Sequence, residues 1–290
     1  ARAAPRRDAR SRRGGRNGGS GPRSGSGSAV MSLLAGAAAI GAASTALAKG
    51  RARDEDAEGK VYEPCEAVGD GLRGEFWKAK HGNITILELD YEPLQVLLTR
   101  ARNAACDSKA FNFFIHRLLS LTLEMALGAL PTEDVVVTTP DGYKFRGKEY
   151  EKDLSLLAVT VSQSGTHMVE PLQRLSPGIP IAYATNDPST HTVTTKGLPR
   201  DVSDYHVLVL SPIMRGGLKE SAVIEQLTKR GVQEDNIQVI CLFMTPQSAD
   251  LLTSRHPDVA VVAASMDAGI DAEGRLVPGV GDFEKRYNEA

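Results

Sequence analysis

Residues 207–231 read VLVLSPIMRGGLKESAVIEQLTKRG. The run 206–210 is apolar without alternation, the pattern of a strand covered on both faces. Residues 221–230 keep helical spacing and end at Gly231. Between them, Ser211-Pro212-Ile213-Met214-Arg215-Gly216-Gly217-Leu218-Lys219 carries the chain from strand to helix through two glycines. The backbone N–H groups of such a loop, with the helix N-terminus behind them, form a natural place for a phosphate.

The same alternation extends outward. Residues 84–87 predict a short strand and 92–101 a helix or an extended turn. Residues 108–130 predict a long helix stopped by Pro131, with Phe111, Phe114, Ile115, Leu118, Leu119, Thr122, Met125 and Ala126 on one face. Residues 135–138 and 143–146 predict a β-hairpin turning at Pro140-Asp141-Gly142. Strands at 156–161, 179–183, 237–243 and 259–264 follow, with helices at 168–175 and 246–255. Apolar strands separated by amphipathic helices predict an α/β domain whose parallel sheet carries helices on both faces. Ligands of such sheets bind at the carboxyl ends of the strands, here the loops after Val161, Leu210, Met244 and Ala264.

The contents of 41% hydrophobic and 24% charged residues are ordinary for a globular protein. A net charge of −2 argues against bulk nucleic-acid binding, but it hides an asymmetry. Residues 1–23 hold eight Arg and one Asp, so they carry +7 and the remainder −9. Residues 1–28 form a basic low-complexity tail, with the composition of an organellar targeting peptide or of a solvated arm. Residues 29–48 (AVMSLLAGAAAIGAASTALA) have no charge. As a helix of about 30 Å they would cross a membrane or dock on a partner protein; the other reading is the core of a cleavable signal. Residues 49–82 are a charged linker, including Asp54-Glu55-Asp56, and an arm in which Trp77 serves as a packing anchor. Residues 83–290 are the globular domain. Cys65, Cys106 and Cys241 are odd in number and lack metal spacing, so neither a disulfide framework nor a zinc site is expected. Cys241, in the apolar run VICLF, reads as a buried thiol.

Five stretches in order carry a family likeness: 97–130 (LLTRARNAACDSKAFNFFIHRLLSLTLEMALGAL), 136–147 (VVTTPDGYKFRG), 157–168 (LAVTVSQSGTHM), 207–231, and 256–282 (HPDVAVVAASMDAGIDAEGRLVPGVGD). Over residues 90–290 the chain resembles the uracil phosphoribosyltransferase family, and the resemblance implies a type I phosphoribosyltransferase fold. It implies a reaction that joins uracil to ribose 5-phosphate and releases pyrophosphate through an oxocarbenium-like transition state. Such a site positions two substrates, cradles a phosphate, and neutralises pyrophosphate with cations and magnesium. The resemblance places the phosphoribosyl-pyrophosphate site at Gln163, Asn186, Ser211, Arg215, Gly216, Gly217 and Lys219. It places uracil at Leu276, Gly281, Asp282 and Phe283, largely through backbone groups.

The donor positions depart from the family pattern Asp-Pro-x-x-Ala-Thr-Gly-Gly-Ser. Ser211 stands for the acid, Arg215 for the alanine, Gly216 for the threonine, Leu218 for the second glycine and Lys219 for the serine. Gln163 and Asn186 stand where the family has arginines, and neither can make a bidentate charge-assisted contact. The sequence shows no nearby replacement for the lost carboxylate and hydroxyl. Arg215 and Lys219 are either new phosphate ligands or parts of an unused loop, and the second is preferred. The expectation is therefore a vestigial donor site, with no catalytic residue, metal or cofactor. The chain would be a non-catalytic subunit of a membrane-associated, multiprotein organellar complex, in a chloroplast before a mitochondrion, and a homodimer by resemblance. The alternatives are an active, magnesium-dependent transferase making UMP in pyrimidine salvage, and a nucleobase or nucleotide sensor. His167 is expected to pack or be solvated. Asp267 is expected either to line a pocket or to cap Gly269.

Overall fold

The computed structural model describes residues 61–63, 68, 72–186 and 193–289, with residues 72–74 and Asn186 described in their backbone alone. All belong to the second of two compact units, Arg51–Ala290. The tail 1–28, the uncharged stretch 29–48, the linker acids and Cys65 lie outside the described residues. Among the described residues no helix is long and apolar enough to cross a membrane.

Helix α1 (Leu72–Lys80) precedes β1 (Ile84–Ile86), α2 (Glu92–Arg102) and α3 (Ser108–Leu127). The hairpin β2 (Thr132–Thr138) and β3 (Lys144–Tyr150) follows, then β4 (Ser155–Val161), α4 (Val169–Leu175), β5 (Ile181–Asn186) and β6 (Val193–Lys196). The second half runs β7 (Tyr205–Leu210), β8 (Ile213–Met214), α5 (Leu218–Thr228), β9 (Ile237–Met244), α6 (Pro246–Arg255) and β10 (Ala260–Met266). The short strands β11 (Gly269–Ile270) and β12 (Leu276–Val277) and helix α7 (Phe283–Asn288) complete it.

The main sheet has the order β1-β10-β9-β7-β4-β5-β6, with β8 beside β9. Every pairing in it is parallel except β5 with β6. Side chains alternate between its faces. Val207, Val209, Val239 and Cys241 enter one apolar cluster with Val223, Ile224 and Leu227 of α5 and Leu252 of α6. Leu208, Leu210, Ile240 and Leu242 enter another with Leu97 and Leu98 of α2, Phe111 and Ile115 of α3, and Leu172 of α4. Burying both faces explains why β9 is apolar at nearly every position. It also pushes the Cys241 thiol far above its ordinary pKa, with the buried Glu220 adding to the effect.

Several boundaries differ from the sequence reading. The long helix ends at Leu127, and its buried face takes in Leu123 and Leu127 while Met125 is exposed. Helix α5 starts at Leu218, not at 221, because Gly217 takes up the left-handed turn at its N-cap. Trp77 is half-buried against the core, as an anchor should be. The hairpin pairs only with itself and leaves Val136, Val137, Phe145 and Tyr150 exposed.

Candidate functional site

The carboxyl ends of β4, β7, β9 and β10 bring together the turn 162–165, the loop 211–217, Thr245 and Asp267. The loop after β7 is anchored rather than free. Ser211 N–H donates to the Ile240 carbonyl at 3.0 Å, and Phe243 N–H to the Pro212 carbonyl at 3.0 Å. Thr245 Oγ1 donates to the Arg215 carbonyl at 2.5 Å. Gly217 has φ 74°, and a Cβ there would stand 3.3 Å from the Ser248 carbonyl oxygen, so both conformation and space favour glycine. The backbone cradle at the start of α5 is thus retained.

The side chains around it are different. Arg215, Leu218 and Lys219 all point outward, Leu218 with 62% of its surface exposed. Ser211 is buried, and its hydroxyl donates to Glu220 Oε1 at 2.6 Å. Glu220 is itself buried in the first turn of α5. Glu220 thus places a carboxyl beside the loop, on its buried side. Nine residues separate it from Ser211, and only the loop-to-helix turn closes that gap.

Burial raises the Glu220 pKa, opposed in part by the Ser211 hydroxyl. An acid whose folded pKa exceeds its unfolded value contributes its stability below the unfolded pKa and loses it as pH rises through the folded pKa. Glu220→Gln keeps an acceptor for Ser211 and cannot ionise. Its stability relative to the parent should therefore rise as pH climbs above the ordinary value of 4.5, and urea melts at pH 4, 6 and 8 would read this. A gap that shrank with pH would show the opposite sign.

The turn after β4 packs closely on the end of β7. Ser162 has φ 61°, and a Cβ on Gly165 would lie 2.6 Å from the Leu210 carbonyl oxygen. Gln163 is exposed, and its carbonyl accepts from Thr166 Oγ1 at 2.6 Å. Asn186 ends β5 opposite Val193, and its side chain lies outside the described residues. His167 packs: its ring lies 4.1 Å from that of Tyr287, and Nε2 is 3.1 Å from Glu284 Oε2.

Residues 269–283 form a hood after β10. Gly279 (φ 61°) could carry no Cβ, which would meet the Leu276 carbonyl oxygen at 2.3 Å. Leu276 is half-buried and Gly281 exposed. The Asp282 carboxylate accepts from Lys285 N–H at 3.1 Å and caps α7. Phe283 is buried edge-on against Phe111, so it props the hood from the core side. Asp267 does not cap Gly269; its buried carboxylate is paired instead with Arg102, Oδ1 lying 2.7 Å from Nη2.

One constellation carried no signal in the sequence. Ser221 Oγ lies 2.9 Å from His256 Nε2, and His256 Nδ1 lies 2.8 Å from Glu234 Oε1. These are nucleophile, base and acid distances, yet Ser221 is fully buried. The chain of contacts ties α5 to the end of α6.

A mostly parallel sheet, a glycine loop leading from a central strand into a helix, and a hood after the last long strand define a phosphoribosyltransferase-like fold. The family model for uracil phosphoribosyltransferase matches residues 89–289. Uridine kinase-like protein 4 of Arabidopsis thaliana is 33% identical over 193 residues, which cover 65% of this chain and 40% of that protein. The uracil phosphoribosyltransferase of Dictyoglomus turgidum is 30% identical over 207 residues, 69% of this chain and 97% of that one. Among solved structures, the AQ2163 protein of Aquifex aeolicus shares the fold with a TM-score of 0.58 at 16% identity, covering 70% of this chain and 97% of that chain. The chain belongs to the uracil phosphoribosyltransferase family. It spans about two fifths of the length of the Arabidopsis relatives it matches.

Proposed function

We propose that this chain is a family member that does not make UMP at ordinary enzyme rates and acts as a non-catalytic subunit of an organellar assembly. The observation that carries the reading is the Ser211–Glu220 pair. The position from which the family presents an acid carries a hydroxyl turned inward, and the one carboxyl beside it is buried. Gln163 adds no cation at the turn where pyrophosphate would sit. A polyanionic donor loses its charge-assisted contacts while the backbone cradle remains.

A second reading is favoured by a specific feature. Arg215 and Lys219 are exposed cations at the start of α5, placed to meet a phosphate in an active transferase. The donor set beside the loop does not fit a protein-held magnesium, because Ser211 offers no carboxylate and Glu220 is buried. In that reading the ion would arrive on the donor's pyrophosphate. The two readings separate in a thermal melt with phosphoribosyl pyrophosphate and magnesium. The first expects no change, and a magnesium-dependent rise in melting temperature supports the second. Calorimetry with uracil, UMP and UTP identifies a sensor by binding without turnover.

The organellar assignment rests on the Arg- and Ser-rich residues 1–28 and the uncharged residues 29–48. The proposed sites are the chloroplast first and the mitochondrion second, with attachment to a membrane or partner through 29–48 and a homodimer core. Fractionation followed by sizing tests this, and a monomer confined to the cytosol would refute it.

A further inference from the structure

Helix α1 and strand β1 form an arm beside α6, and one buried ring sits at its joint. His81 lies between the two elements and is 3% exposed. Its Nδ1 is 3.0 Å from Thr253 Oγ1 and its Nε2 is 3.3 Å from Asp250 Oδ1, both on α6. The Trp77 ring, which packs on the core, lies 4.5 Å from the His81 ring. Lys80 pairs with the same Asp250 carboxylate.

The hydrogens can be counted along this chain of contacts. Asn83 Nδ2 donates to the Val259 carbonyl at 2.8 Å, which fixes the amide and leaves Oδ1 as the atom that meets Thr253. Thr253 Oγ1 donates to that oxygen at 3.3 Å, so its single hydrogen is spent. Towards His81 the Thr253 oxygen can then only accept, which requires a hydrogen on Nδ1. Nε2 faces a carboxylate, which also only accepts, and requires a hydrogen too. All these contacts are filled together only by an imidazolium. In a neutral ring, either Nε2 turns a lone pair on Asp250, or the Thr253 hydroxyl rotates to Nδ1 and Asn83 Oδ1 loses its donor.

Among the described residues, Asp250 is the charged group in contact with the ring, and Lys80 shares its carboxylate. Thr253, Asn83 and the Val259 carbonyl, which the other packed segments present, are neutral. The His81 hydrogen bond, more than any other contact, holds the Asp250 carboxyl below the ordinary carboxylate range; partial burial opposes it and Lys80 adds to it. We propose that His81 is a pH-sensitive latch: charged, it docks the arm on α6, and loss of its proton loosens the arm. Strand β1 ends the sheet beside β10, so the latch governs how firmly that edge is covered. Docking that needs the proton is complete below the ordinary histidine value of about 6.5 and weakens as pH rises above it. The latch shares no residue with the donor loop and does not depend on the reading of that loop.

Hydrogen exchange of the full chain at pH 6 and pH 8, corrected for the intrinsic rate, tests this. Protection of the α1 and β1 amides should fall about tenfold more than that of β9, the loss of one charge-assisted contact. Trp77 is the only tryptophan, so its quenching by acrylamide reads the arm and should increase over the same interval. His81→Gln should remove the pH dependence from both readouts. Asp250→Asn, at a partly exposed site, keeps the ring but removes the facing charge, and should move the transition to lower pH. An arm equally protected at pH 6 and pH 8 overturns the proposal. So does a folded His81→Gln or Asp250→Asn protein that keeps the parent's pH dependence.

Discussion

Restoring the donor-binding residues should tighten binding of magnesium-phosphoribosyl pyrophosphate by about 100-fold or more. The variant combines Gln163→Arg, Asn186→Arg, Ser211→Asp, Gly216→Thr and Leu218→Gly with Glu220→Gln. A hydrogen bond to a charged group is worth about 1.5–3 kcal/mol, and exposed partners fall at the low end. Two arginines at the low end give about 3 kcal/mol, roughly two factors of ten. Glu220 has to change together with Ser211. A new carboxylate at 211 would otherwise press on a carboxyl whose oxygen now lies 2.6 Å from the Ser211 hydroxyl. The amide at 220 can instead donate to it. Calorimetry on the parent and the variant, with melts to show that both fold, measures the gain. A folded variant that binds no more tightly would show that the loop backbone, not its side chains, has lost the site.

Phe243→Ala should cost about 3–5 kcal/mol, the largest single loss expected in the domain. Phe243 is fully buried in β9, paired with Ser265 of β10 and Ile213 of β8. Its ring lies beneath Arg102, 5.0 Å from the guanidinium carbon, so the variant also loses a cation–π contact. The cavity opens beside β8 and Arg102, and neither can collapse into it without moving its own partners. In a domain of this size the melting temperature should fall by about 10 °C. Phe113→Ala is the control: Phe113 is 59% exposed, and its loss should stay within about 0.5 kcal/mol. Urea melts of the two variants settle the contrast, and similar losses would contradict the assignment of the core.

The sheet was legible because its central strands are continuous apolar runs, and β7, β9 and β10 lie within two residues of their predicted ends. Helix α3 was legible for the same reason, since its length gives the apolar period room to repeat. Strands β6, β8, β11 and β12 have two to four residues each, too few to show any period. The start of α5 was missed because Leu218 and Lys219 face solvent, and the signal there is the left-handed Gly217 rather than an apolar face. At the site, resemblance supplied the positions, and side-chain identity supplied the departures. Two features lay beyond both. Glu220 meets Ser211 only because the loop folds under the helix it begins. Arg102 and Ser265 stand 163 positions apart, and only the packing of α2 against β10 brings the guanidinium to Ser265 and Asp267.

The most direct test supplies the pure chain with labelled uracil, phosphoribosyl pyrophosphate and magnesium, and measures UMP. With Ser211 turned inward and Gln163 uncharged, no product above the protein-free blank is expected, even at high donor concentration. UMP forming at the rate of an ordinary transferase would mean that Arg215 and Lys219 grip the donor after all, and the central claim would be wrong.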